Sequence, residues 1–248
     1  MLLFFYKVNF QMSLFNNFVD WLFPTKCIIC GDEIQKNSIF CPKCFTKATF
    51  IDYPFCKICG KLFSNSYCYS ENCICENCVK NTHFFDVARA LFQYDDISKS
   101  VVFKIKKYAD NNVAKICLNM LFKKYLDVFN SFNFIVPVPS HWSRVLKRGY
   151  NPADIISFEL SNILNIPVQK ILKRVKKTDY QKGKSTKDRY ENVKNAFVCS
   201  EKNLLEQKII LVDDVMTTGA TLNECSKILK SKNCLKIFCL TICTTKNI

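Results

Sequence analysis

KIILVDDVMTTGATLNECSKIL, residues 208–229, reads as a strand, a tight loop and the start of a helix. Lys208 to Val212 form an apolar, β-branched run that ends at two carboxylates, the pattern of a buried parallel strand. Leu222, Cys225, Ile228 and Leu229 then recur at helical spacing. Between the two, Thr217, Thr218, Gly219, Ala220 and Thr221 make a hydroxyl-rich bend. Such a junction suits a phosphate, because free N–H groups of the loop and the helix N-terminus converge there and the helix dipole adds favourable potential. The three threonines can add hydroxyl donors, and Gly219 lets the backbone come close or take a positive φ. Asp213 and Asp214 look misplaced beside a phosphate until a sugar is considered: carboxylates accept ribose hydroxyls, and Mg²⁺ can bridge the remaining oxygens. The ligand implied is a ribose phosphate.

The order of these residues resembles the 5-phosphoribosyl-1-diphosphate (PRPP) motif of type I phosphoribosyltransferases. It is not a Walker A loop, since no Gly-Lys-Ser/Thr follows, nor a dinucleotide fingerprint, since the glycine triplet is absent. The alternative is an ordinary strand-to-helix turn capped by Asp and Thr, but capping alone does not require so many hydroxyls and carboxylates in a row.

The rest of the 248-residue chain is long enough for one ordinary domain and a small module. Ten of its 16 cysteines fall between Cys27 and Cys78. They include four CxxC pairs: Cys27 and Cys30, Cys41 and Cys44, Cys56 and Cys59, Cys75 and Cys78. Two such knuckles complete a tetrahedral Cys₄ site for structural Zn²⁺, so four imply two sites. Consecutive knuckles sharing a metal are the expected pairing, an interleaved cross-brace the alternative, and Cys68 and Cys73 are left over. A segment this small needs metal to fold. His83 reads as a linker residue. Cys117, Cys199, Cys225, Cys234, Cys239 and Cys243 sit singly in apolar patterns as small buried hydrophobes.

Paired cysteines without a secretory signal point to a reducing, cytoplasmic setting. The apolar start, MLLFFYKVNF, is interrupted by Lys7, Asn9 and Gln11 before it could span a membrane. Met12 stays open as an alternative start. The division expected is a helix within 1–25, with Leu14, Phe18, Trp21 and Leu22 on one face, a double zinc-knuckle module at 26–80, and an α/β domain at 84–248.

In that domain a strand is expected at Val87 to Tyr94, then a helix capped by Asp95 or Asp96 with Ile97, Val101, Val102 and Ile105 inward. Lys99, Lys104, Lys106 and Lys107 read as its solvated face, with nucleic-acid contact the alternative. A second helix follows at 113–129 and a short buried strand at 134–138. The segment SHWSRVLKRGYN reads as a loop that places Arg144, Lys147 and Arg148 at the carboxyl end of that strand, where open α/β sheets bind ligands. A helix at 151–164 and strands at 171–175, 196–199 and 235–241 complete the set. Residues 178–192, with Lys182, Lys184, Lys187 and Arg189, read either as a mobile loop suited to closing over a charged ligand or as a disordered surface loop. Formal charge is +15, and residues 141–189 carry twelve Lys or Arg against four Asp or Glu, over half of that excess. Polyanions are the partners such a surface favours.

Taken in order, these pieces resemble the ComF family of competence-associated, phosphoribosyltransferase-like proteins. The likeness rests on Pro24 to Cys27, the CxxC pairs, Lys107-Tyr108, Pro137-Val138-Pro139, Arg148 to Asn151, Thr178 and Gln181, Arg189 to Asn192, Phe197, and Val212 to Thr221. Pro152, where the family has Gln, and the extra Cys68 and Cys73 depart from it. The resemblance implies a type I phosphoribosyltransferase-like open parallel sheet flanked by helices, preceded by a small Cys-rich zinc-binding module. It implies Asp213 and Asp214 on the ribose hydroxyls of PRPP with Mg²⁺, and 217–221 on its 5-phosphate, while Arg144 and Arg148 could hold its diphosphate. It also implies single-stranded DNA handling in DNA uptake and natural transformation. Lys147, Lys182, Lys184, Lys187 and Arg189 are the candidate DNA contacts, with Trp142, Tyr150 and Tyr180 for stacking. A DNA-uptake helicase is a further partner to test. An active phosphoribosyltransferase of nucleotide or nucleobase metabolism is the alternative reading.

Overall fold

The computed structural model describes residues 24–63, 73–129, 131–176 and 186–245, with the side chains of 126, 127, 186 and 187 left aside. The helix expected before Pro24, Cys68, Thr178, Tyr180, Gln181, Lys182 and Lys184 lie outside the described residues, as does the Lys187 side chain. The chain forms two compact units, Met1–Lys47 and Ala48–Ile248.

In the first unit the Gly31 N–H donates to the Cys27 carbonyl at 3.0 Å and the Cys27 N–H to that of Asp32 at 2.8 Å. Cys41 then caps the short helix α1, Pro42–Phe45. The second unit repeats the device. Gly60 N–H donates to the Cys56 carbonyl at 2.9 Å, Cys56 N–H to that of Lys61 at 2.8 Å, and Cys75 caps α2, Glu76–Lys80. Bridges Lys26↔Glu33 and Phe55↔Leu62 flank the two turns in the same way, so one hairpin design is used twice. Gly60 is doubly constrained: its φ is +73°, and a Cβ there would lie 2.7 Å from the Ala88 carbonyl oxygen. That closeness follows from the Ala88 N–H donating to the Ile58 carbonyl at 2.7 Å, which seats the turn on the sheet.

The remaining elements run β1 (Val87–Gln93), α3 (Asp96–Tyr108), α4 (Asn111–Phe129), β2 (Phe134–Pro137), α5 (Trp142–Arg148), α6 (Pro152–Leu164), β3 (Leu172–Arg174), α7 (Thr186–Val193), β4 (Phe197–Cys199), β5 (Lys208–Val212), β6 (Val215–Met216), α8 (Ala220–Lys230) and β7 (Lys236–Thr244). β1, β7, β5 and β2 form a parallel sheet in that spatial order, and β3 pairs antiparallel with β4. β5 pairs with β7 up to Val212↔Leu240, and β6 resumes at Val215↔Cys243 in the same register. β5 and β6 are therefore one strand whose pairing lapses at Asp213 and Asp214.

Alternation along the strands divides the core. Ile209 and Leu211 share a cluster with Leu222, Cys225 and Leu229 of α8, and Cys56, Cys59, Cys75 and Cys78 belong to that cluster too. On the other face Phe238 meets Phe129 of α4 edge-on at 5.1 Å. Asp95, not Asp96, caps α3: its carboxylate accepts the Ser98 N–H at 2.7 Å while the Ser98 hydroxyl accepts the Asp95 N–H at 2.8 Å, a reciprocal capping box.

Two loop expectations are overturned. Residues 142–148 are helical, started by a His141 ring nitrogen that accepts the Ser143 N–H and stopped by Gly149 at φ +84°. The helix buries none of its seven residues, so it leaves no apolar period to read. Residues 186–193, the second half of the expected mobile loop, are α7, anchored by buried Val193 and by Tyr190 packed against the core. The single cysteines behave as expected: five are buried and Cys199 is half-buried.

Candidate functional site

The lapse in pairing keeps its backbone bonds. Asp213 N–H still donates to the Leu240 carbonyl at 3.0 Å, and the Asp214 carbonyl accepts from Ile242 at 3.1 Å. The two carboxylates are thus held rigidly at the carboxyl end of the central strand, and successive side chains diverge. Asp214 meets Lys106 of α3 at 3.0 Å. Asp213 takes the Asp214 N–H at 2.8 Å and feels the charge of Arg174 on β3. Burial, and secondarily the charge of Asp214, push the Asp213 carboxyl up to about 7, against the pull of the Asp214 N–H, Lys106 and Arg174. Lys106 is held above its ordinary range: burial alone would lower it, and the two aspartates outweigh that.

The hydroxyl-rich bend follows directly. Thr245 donates its hydroxyl to the Thr217 carbonyl at 2.7 Å, and Tyr190 of α7 donates its own to the Thr218 carbonyl at 3.1 Å. Because a trans peptide sets its N–H opposite its carbonyl, the N–H groups of Thr218 and Gly219 point away from those two anchors. Gly219 caps α8 at φ +73°, which a Cβ would resist. The Asn223 N–H closes on the Gly219 carbonyl at 2.8 Å, leaving the turn before it to offer N–H groups. Thr218 and Ala220 are 7% and 4% exposed, while Thr217 and Thr221 are half-buried, so access is from the flanks. The Thr218 hydroxyl turns inward and accepts the Ala220 N–H at 3.4 Å. A neighbouring groove of about 340 Å³ is lined by Pro139, Tyr150, Asn151 and Leu172 among others and does not include the bend.

The cysteines gather as two sets, Cys27, Cys30, Cys41 and Cys44, and Cys56, Cys59, Cys75 and Cys78, with sulfurs within 4.8 Å of one another. Consecutive knuckles are brought together. Four sulfurs at ~2.3 Å from a tetrahedral Zn²⁺ would stand about 3.8 Å apart, and Cys30 and Cys41 lie at 3.6 Å, Cys59 and Cys75 at 3.7 Å. The Cys75 N–H also donates to the Cys56 sulfur at 3.3 Å, an interaction that favours thiolate. Hydrogen bonds from Cys59 and Cys78 draw the Cys56 thiol far below its usual range. Both sets fit structural zinc. Cys73 stands outside them and is disulfide-bonded. His83 is more than a linker: its Nε2 lies 3.4 Å from the Cys78 sulfur and its ring stacks on Phe85 at 4.8 Å.

Residues 18–79 match the family model of the double zinc ribbon domain, and residues 104–247 that of the phosphoribosyl transferase domain. The chain is 34% identical to Competence protein F of Haemophilus influenzae, over 84% of this chain and 92% of that one. It belongs to the ComF family. Competence protein ComFC of Bacillus subtilis is 25% identical (83% of this chain, 89% of that one), and DNA utilization protein YhgH of Salmonella typhimurium 23% (88% and 90%). The parallel sheet flanked by helices is the phosphoribosyltransferase-type fold. No helix among the described residues is long and apolar enough to cross a membrane.

Around the ComF carboxylates the cations converge from three elements. Arg148, at the end of α5, is close enough to Lys106 to lower its proton affinity, and Arg144 acts likewise on Arg174. Arg144 is half-buried, while Lys147 and Arg148 are exposed and Arg189 is half-buried. Of the aromatics expected to stack, Trp142 is 63% exposed. Tyr150 is instead structural, its hydroxyl accepting the Ala109 N–H at 2.9 Å where α3 ends. Lys106 and Arg174 are the site residues that sequence reasoning misses. In the sequence Lys106 stands among solvated lysines, and Arg174 lies in an expected strand with no motif around it. The signal for Arg174 is period two, since it shares a face of β3 with buried Leu172.

Proposed function

We propose that this ComF protein binds a 5-phosphorylated ribose, PRPP with Mg²⁺, at the carboxyl end of β5 and handles single-stranded DNA during DNA uptake. The observation that carries the ligand is the rigid Asp213–Asp214 step followed at once by a bend whose carbonyls are tied back by Thr245 and Tyr190. Asp213 and Asp214 would accept the two ribose hydroxyls and help hold Mg²⁺, which would offset the ligand's charge, and the N–H groups of 218 and 219 would meet the 5-phosphate. The DNA role draws on the names of the relatives, a competence protein and a DNA utilization protein. It also draws on the exposed Lys147, Arg148 and Trp142 of α5, which suit a polyanion with stacking bases. Lys182, Lys184, Lys187 and Arg189 are the further contacts proposed for the strand, and a helicase is a candidate partner. Titration calorimetry of the full chain with PRPP and Mg²⁺ tests the pocket: binding is expected, and Asp213→Ala with Asp214→Ala should abolish it. Equal affinity of that double variant would remove the pocket from the account.

A second reading, catalysis of phosphoribosyl transfer, is favoured by one arrangement. Arg174 bears on Asp213 through its charge, and Arg148 and Arg144 of α5 are within electrostatic reach of Lys106 and Arg174, cations of the kind that stabilise a departing diphosphate. Diphosphate release from PRPP in the presence of candidate bases measures it. Binding without turnover across purines and pyrimidines would leave the pocket as a binding site only.

A further inference from the structure

The exposed side of α3 carries a cluster that the ribose-phosphate site does not use. Phe103 and Tyr108 are 49% and 57% exposed, although burying rings of this size is strongly favourable. Their rings meet edge to face at 5.9 Å. Lys107 Nζ stands 5.2 Å from the Phe103 centroid and 5.3 Å from that of Tyr108, and Lys104 Nζ is 5.3 Å from Tyr108. The helix has a single carboxylate, Asp96, and it lies in the first turn, away from this cluster. Flat rings interleaved with cations match one polymer chemistry, a strand with a flat base and an anionic phosphate at every repeat. An acidic peptide would use the lysines but leave the rings without partners, and a duplex hides its base faces.

We propose that Phe103 and Tyr108, flanked by Lys104 and Lys107, are a stacking platform for the bases of single-stranded DNA. This deepens the proposed function and rests on its DNA half. Lys106, on the next stripe of the same helix, reaches Asp214, so the platform lies beside the ribose-phosphate site. At its end the Ala109 N–H donates to the Tyr150 hydroxyl, which ties the platform to the segment after α5.

The test is anisotropy of a labelled oligo(dT) with full-length protein at two salt concentrations, with a duplex of equal length as control. Phe103→Ala with Tyr108→Ala should weaken single-strand binding about tenfold or more and leave duplex binding unchanged. Tyr108→Phe should bind within about twofold of wild type, since the stack needs the ring and not the hydroxyl. Lys104→Gln with Lys107→Gln should make the log–log salt dependence shallower by roughly 0.7 for each phosphate that is no longer neutralised. All four side chains reach solvent, and melting curves matched to wild type identify folded variants. If the double alanine variant binds oligo(dT) as wild type does, the platform is wrong while the DNA reading stands. An equal loss on duplex also overturns it, since base faces are then not what is read. No binding by the wild type at low salt removes both.

Discussion

Replacing Asp213 with Asn should stabilise the protein above neutral pH while destroying its ligand site. The Asp213 carboxyl ionises at about 7 in the fold against 3.8 for the free group, chiefly through burial and then through the charge of Asp214. Between those limits the native state holds a proton that the unfolded chain has released, so stability falls as pH rises from about 4 and the loss is complete above about 7. The full displacement corresponds to at most about 4 kcal/mol. The side chain keeps some exposure to solvent, so about 2 kcal/mol is the better expectation. Asn has nothing to ionise and can still accept the Asp214 N–H that Asp213 now takes at 2.8 Å. Urea melts of both proteins at about pH 4.5, 6, 7 and 8 read the effect directly. The difference should start near zero and grow in favour of Asp213→Asn up to pH 8. A difference that is flat with pH, or one that favours wild type throughout, refutes the claim that this carboxylate is strained by its surroundings.

Gly60→Ala should cost about 2 kcal/mol and lower the melting temperature by about 4–8 °C, because it combines positive φ with a 2.7 Å approach to the Ala88 carbonyl. Gly31→Ala, where a Cβ meets nothing within 4 Å, should show the smaller strain alone. Elemental analysis should find two zinc ions per chain, one for each cysteine set, and Cys27→Ser or Cys56→Ser should each lower the count. Cys56→Ser should also shift the main thermal transition, since Cys56 belongs to the cluster shared with α8. Tyr190→Phe removes the hydroxyl donor to the Thr218 carbonyl; a loss of about 1 kcal/mol corresponds to roughly fivefold weaker PRPP binding. Unchanged affinity would show that the bend does not need this anchor.

Strand and helix positions are legible where burial writes a period into the sequence. β5 and α8 stand out because one is buried along its length and the other along a stripe, and α3 because Val101, Val102 and Ile105 sink while Lys99 and Lys107 do not. α5 is invisible for the opposite reason: none of its seven residues is fully buried, so its cap and its terminal Gly149 are the only marks. The carboxylate pair and the bend are readable because their chemistry is contiguous in sequence. Their partners are not, because Lys106, Arg174 and Tyr190 reach the site from α3, β3 and α7. Lys106 shows the limit most clearly. Nothing in its neighbours Lys104 and Lys107 distinguishes it, and only the helical phase, set by where α3 rests on the sheet, turns it to Asp214.

The second cysteine set bears directly on the ligand bend. Cys56, Cys59, Cys75 and Cys78 share a core with Leu211, Met216, Ala220 and Leu222, which frame the bend from below. Tyr190 lies between the two: burial first, and then charge on Cys78 and Cys59, raise its phenol, and the same hydroxyl donates to Thr218. Packing transmits displacement because interiors are dense. A metal that closes this second set therefore fixes the floor on which the bend is built. The hairpin is repeated, but its two copies stand in different surroundings. The repeat near Cys56 has been drawn into the domain, and Gly60 records the closeness of that fit.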